Sequence, residues 1–154
     1  MSLREELNTS LKTAMKAREE RAVSTIRLIL TAIKDRDIAA RPKGNQDGFS
    51  DQDILGVLQT MVRQRQEAIQ LYEQGGRLEL AQKERDEISI INRFLPKQLG
   101  EEEARAAISA VVAEIGAKTI KDMGRTMAVL RERYAGQLDF AKAGATLKEI
   151  LGAA

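Results

Sequence analysis

Apolar residues recur at intervals of three and four along almost the whole chain, and no stretch alternates with period two. That pattern restricts the chain to helices packed on helices, because a half-buried strand needs every second residue on one face. Ser2 and Glu5 make the S-x-x-E pattern of a capping box, and Leu3, Leu7, Leu11, Ala14 and Met15 follow on one face. A second helix is predicted over about residues 20–39, with Val23, Ile26, Leu30 and Ile33 inward. Residues 41–48 (RPKGNQDG) are rich in breakers and read as an exposed loop. Ser50 and Asp53 can cap a third helix that reaches Tyr72 and stops at Gly75-Gly76. A fourth is predicted over about 77–95, closed by Pro96.

Residues 96–100 (PKQLG) form the strongest boundary. Beyond it lie three shorter periodic segments, about 101–115, 119–134 and 139–151. Gly116 and Gly136 follow the first two as C-terminal caps, and Thr119 and Asp139 suit N-caps. The predicted fold is therefore all-α: an N-terminal bundle of about four helices over 1–95, a linker at 96–100, and a three-helix tail over 101–154. A tail of about 55 residues folds alone only marginally.

One position interrupts the apolar pattern. In the third helix Ile54, Leu58, Met61, Arg65, Ala68 and Tyr72 share a stripe; in the fourth, Leu80, Glu84, Glu87, Ile91 and Phe94 do. An antiparallel hairpin closed at Gly75-Gly76 sets Arg65 opposite Glu84 and Glu87. A charge withdrawn from water needs a partner, so these three residues are expected to form a structural ion pair that fixes hairpin register. The alternative is a carboxylate site for acid–base work or a metal.

The 154 residues contain no cysteine and no histidine. A thiol nucleophile, a Ser-His-Asp triad, a histidine base and a Cys/His zinc site are thereby excluded. Only five aromatics occur (Phe49, Tyr72, Phe94, Tyr134, Phe140), which argues against a stacking platform for single strands. No cofactor and no metal site is expected. The first ten residues lack the apolar core of a signal peptide, and no apolar run approaches the roughly 20 residues of a membrane span. A cytoplasmic protein with neither membrane nor DNA as partner is the expectation. The net charge of +2 is mild, but residues 118–142 carry six bases against three acids, and residues 4–43 ten against six. Local excess of this kind suits a polyanion and is also common on ordinary solvated faces.

Several segments together resemble the YqeY proteins. They are Arg27-Leu28-x-x-x-Ala32-Ile33-Lys34, Gln64-Arg65-x-x-Ala68-Ile69-x-x-Tyr72, and Gly76-Arg77-x-Glu79-Leu80-Ala81-x-Lys83-Glu84-x-x-Glu87-Ile88. Phe94-Leu95-Pro96-Lys97-Gln98-Leu99 and Gly116-Ala117 followed by Lys121-Asp122-Met123-Gly124-Arg125-x-Met127 complete the set. YqeY proteins are similar to the C-terminal helical and tail domains of GatB, a subunit of the tRNA-dependent amidotransferase. In GatB those domains bind the tRNA body, and the chemistry takes place elsewhere. The resemblance thus implies a GatB/YqeY domain that binds tRNA and is related to translation, with no catalytic residues of its own. A label of carbon–nitrogen ligase with glutamine as amido donor would describe ancestry.

At about 100° per residue Met123, Met127, Leu130 and Tyr134 fall within about 60° of one another, while Lys121 and Arg125 lie opposite. Gly124 leaves room for close backbone approach, and Lys118 precedes the helix. Lys118, Lys121, Gly124 and Arg125 are therefore candidate phosphate contacts, with Arg27 and Lys34 a second pair. The rival readings are an adaptor that docks on an aminoacyl-tRNA synthetase or amidotransferase subunit, and an enzyme built on Arg65, Glu84 and Glu87.

Overall fold

The computed structural model describes residues 1–44 and 48–152. It contains seven α-helices and no strand among those residues, so the fold is all-α. The helices are α1 (Leu3–Ala17), α2 (Glu20–Ala40), α3 (Asp51–Gln74), α4 (Leu78–Asn92), α5 (Glu101–Ile115), α6 (Met123–Arg133) and α7 (Phe140–Gly152). The chain divides after Leu95 into two compact units.

In the first unit α2 packs against α1, α3 and α4, and α3 runs along α4. Leu7, Ile26, Ile29, Ile33, Ile54, Leu58 and Ile91 are fully buried between them. Truncating any one of these leaves a cavity and costs about 2–5 kcal/mol. Both capping boxes form: Glu5 N–H donates to Ser2 Oγ at 3.2 Å, and Asp53 N–H to Ser50 Oγ at 3.2 Å. Each cap satisfies a donor that the helix itself leaves open.

The chain between α2 and α3 is held by a network around Asp37. Arg4 reaches Asp37 with both terminal nitrogens, at 2.9 and 2.7 Å, and donates a third bond to Phe49 O at 2.9 Å. Phe49 N–H returns a bond to Asp37 Oδ1 at 2.7 Å. The Arg4 guanidinium is the main reason the Asp37 carboxyl titrates below the usual range. Gly48, at φ +83°, passes so close that a Cβ there would lie 2.8 Å from Asp37 Oδ1. Only glycine fits.

The first unit differs from the sequence expectation in four places. The buried face of α2 is Ala22, Thr25, Ile26, Ile29 and Ile33, with Val23 and Leu30 only half-buried. The buried face is thus turned by about one residue toward Ala22, Thr25 and Ile29, and Val23 and Leu30 pack against the core from its flank. Met15 stands 49% exposed, with Arg27 Nη2 4.0 Å from its sulfur. The predicted loop 41–48 opens with a 3-10 turn at Arg41–Lys43, where Pro42 supplies the fixed φ; Asn45, Gln46 and Asp47 lie outside the described residues. Helix α4 ends at Asn92, short of residue 95.

The α3–α4 hairpin turns at Gly76 (φ +72°), where Arg77 N–H caps Tyr72 O at 2.7 Å. Buried residues on α3 stop at Met61. Beyond that point α3 and α4 are joined by Arg65 with Glu87 and Glu84, and by Glu73 with Arg85.

In the second unit α5, α6 and α7 each pack on the other two. Ile108, Val111, Leu130, Leu138 and Leu147 fill the centre. Gly116, at φ +69°, ends α5 and lets Ala117 N–H reach back to Val112 O at 3.0 Å. Asp139 caps α7 by accepting from Ala141 and Lys142 N–H at 3.0 and 3.2 Å.

Candidate nucleic-acid interface

Helix α6 is entered through a 3-10 turn, Ile120–Asp122, so Lys121 precedes the α-helix. Asp122 organises this entrance. Its Oδ2 accepts Lys118 N–H at 2.8 Å and Thr119 N–H at 3.1 Å, and its Oδ1 accepts Arg125 Nε–H at 3.0 Å. The two backbone donors, joined by the arginine, lower the Asp122 pKa to about 2. Thr119 and Asp122 also complete a capping box. The positive end of the helix is thus already met by a carboxylate of the chain itself.

Arg125 turns back from α6 and donates to Ile115 O at 3.0 Å and Gly116 O at 3.4 Å. Those are among the open carbonyls at the end of α5. The guanidinium therefore clamps the end of α5 to the start of α6, although its side chain remains 52% exposed. Thr126 is buried and bonds Asp122 O at 2.8 Å. Met127 and Leu130 are buried below, with Met123 and Tyr134 half-buried. Around Gly124 nothing lies within 4 Å of a would-be Cβ, so its surroundings are open.

The other basic residues of 118–142 divide by type. Arg133 forms a two-pronged pair with Glu114, one bond being 2.7 Å. This pair holds the Glu114 carboxyl below the usual range. Arg131 sits 6.0 Å over the Phe140 ring. Lys118, Lys121 and Lys142 are exposed. Among the described residues, all the ion pairs are made by arginine and none by lysine. Arginine's planar fork suits fixed bidentate bonds, whereas lysine remains a hydrated point charge.

The candidate residues fall on two units. Lys118, Lys121, Gly124 and Arg125 gather at the entrance to α6. Arg27 and Lys34 lie on the exposed face of α2 in the first unit. Arg65 donates from Nε to Glu87 at 2.9 Å and from Nη1 to Met61 O at 3.1 Å, with Glu84 at 3.9 Å. Through Arg65 and Glu87 the cluster links the two helices of the hairpin, with Glu84 beside the pair. No group of three or more acidic side chains among the described residues is placed to hold a metal. Helical periodicity did not disclose the role of Asp122. The signal was local: Thr119 and Asp122 have the T-x-x-D spacing of a capping pair.

The family model described as Yqey-like protein matches residues 4–151. An uncharacterized protein of Schizosaccharomyces pombe is 30% identical over 91 residues, 59% of this chain and 70% of its own length. Altered inheritance of mitochondria protein 41, mitochondrial, of Eremothecium gossypii is 38% identical over 89 residues, 58% of this chain and 46% of that protein. Its namesake in Lachancea thermotolerans is 32% identical over 111 residues, 71% of this chain and 57% of its own length. The chain spans about half the length of these two mitochondrial relatives. Matched along nearly its whole length, the chain belongs to the YqeY-like family.

Proposed function

We propose that this protein is a non-catalytic tRNA-binding accessory factor, acting beside tRNA aminoacylation or amidation as its resemblance to the GatB tail implies. The observation that carries the reading is the division of labour at the entrance to α6. Asp122 and Arg125 are consumed in fixing the turn, while Lys118 and Lys121 stand exposed with no ion pair among the described residues. Two hydrated cations on a rigid turn suit phosphate oxygens of a folded RNA, which is recognised through shape and backbone. Cytoplasmic location belongs to the same proposal.

The test is a salt titration of tRNA affinity for the wild type and for Lys118→Glu/Lys121→Glu. Loss of two phosphate contacts lowers the slope of log affinity against log salt by up to about 2 in a duplex region. Equal slopes and affinities reject this surface. No tRNA binding at low salt, with a salt-insensitive protein complex recovered from cells, favours the adaptor.

A further inference from the structure

Met15, Arg18, Glu20, Val23, Ser24 and Arg27 line an open cavity of about 440 Å³ at the corner between α1 and α2. We propose that it is a pocket for one unpaired nucleotide of an RNA strand, holding a phosphodiester between Arg18 and Arg27 and a base against Met15. The proposal rests on the tRNA-binding reading only for the source of the strand.

Three observations carry it. Most arginines of this chain are bound to carboxylates, yet Arg18 and Arg27 form no ion pair among the described residues, and both face this cavity. With Glu20 at the rim the cavity carries a net charge of about +1, which matches the single charge of a phosphodiester better than the double charge of a free phosphate monoester. Second, Arg18 has φ +57°, the one non-glycine residue at positive φ among those described. It ends α1 at the position where glycine is the easiest residue, so the turn itself does not ask for arginine. What arginine adds there is a guanidinium at the cavity. Third, Met15 is half exposed and its sulfur lies 4.0 Å from Arg27 Nη2. A thioether beside a planar guanidinium is a polarisable surface on which a base can lie without an aromatic partner. The Ser24 hydroxyl donates to Arg21 O at 3.1 Å, which leaves its oxygen free to accept from a base amino group.

The probe is a single-stranded tetra-adenylate oligoribonucleotide, titrated into the full chain and followed by amide and methionine-methyl chemical shifts, with inorganic phosphate as a second arm. The expected result is shifts centred on Met15–Arg27. Affinity should fall about tenfold in Arg18→Gly and in Arg27→Gln, the effect of one lost charge-assisted contact. Arg18→Gly is a self-controlled variant, because glycine relieves the left-handed backbone and the thermal midpoint holds or rises. Unchanged affinity in both variants, shifts centred elsewhere, or no tetranucleotide binding overturns the proposal; so does inorganic phosphate that binds as well as the oligonucleotide. Tetranucleotide binding without tRNA binding rejects the proposed function and leaves the pocket. tRNA binding that is lost in Lys118→Glu/Lys121→Glu but kept in Arg18→Gly and Arg27→Gln rejects the pocket alone.

Discussion

Arg65 Nε lies 2.9 Å from Glu87 Oε2 across the α3–α4 hairpin, and the two side chains are only 14% and 8% exposed. The pair sits where α3 has run out of buried apolar residues, and it continues the contact between the helices by charge and hydrogen bonding. Arg65→Ala strands a nearly buried carboxylate, and the expected loss is about 3 kcal/mol in chemical denaturation. Adding Glu87→Leu recovers part of it, because the uncompensated charge is then gone. An unchanged denaturation midpoint in Arg65→Ala would show that water already satisfies Glu87.

The features legible in the sequence were those whose partners lie three or four residues apart, or whose chemistry is out of place. Ser2 with Glu5 and Ser50 with Asp53 are local pairs, and both boxes form. An arginine within an apolar stripe asks for facing carboxylates, and Arg65 meets them. Arg4 and Asp37 gave no such sign, because they are 33 residues apart and each resembles a solvated surface charge. At the candidate site the helical wheel gives the direction in which Arg125 leaves the backbone, but not where its long side chain ends. That end is decided by the open carbonyls of α5.

The Asp37 network makes Gly48 a position of low tolerance. A methyl group there meets both an unfavourable φ and a carboxylate oxygen at 2.8 Å. Gly48→Ala should destabilise by about 2 kcal/mol and should loosen the Arg4 bonds. The measurement is a denaturation curve together with protection of the Phe49 amide from hydrogen exchange. Full protection in the variant would contradict the account.

Asp122 gives a pH dependence with a defined sign. Its folded pKa of about 2 lies below the ordinary value of 3.8, so the folded state favours its charged form. The stabilisation is fully present above about pH 4 and is lost as the pH falls toward 2. The Lys118 and Thr119 amides, which donate to this carboxylate, should shift with the same midpoint in an NMR titration. A midpoint near 4 would mean that these bonds are not formed in solution.

Lys121 and Arg125 separate binding from folding. Both are exposed bases at the entrance to α6, but only Arg125 is tied to Asp122, Ile115 O and Gly116 O. Lys121→Glu should leave the thermal midpoint of the protein nearly unchanged, as surface substitutions usually do. It should reduce the salt slope of tRNA affinity by up to about 1. Arg125→Glu removes the clamp and sets a carboxylate against Asp122 and the end of α5, where a negative charge is unfavourable. Its midpoint should fall, and the Asp122 pKa should rise toward its ordinary value. Arg125→Lys keeps the charge but not the planar fork, so it should behave more like the glutamate variant in stability than like the wild type. Thermal melts of the three variants and the wild type, with tRNA titrations at several salt concentrations, make the comparison. Equal midpoints for Lys121→Glu and Arg125→Glu would refute the clamp, and an unaltered salt slope in Lys121→Glu would take that lysine out of the interface.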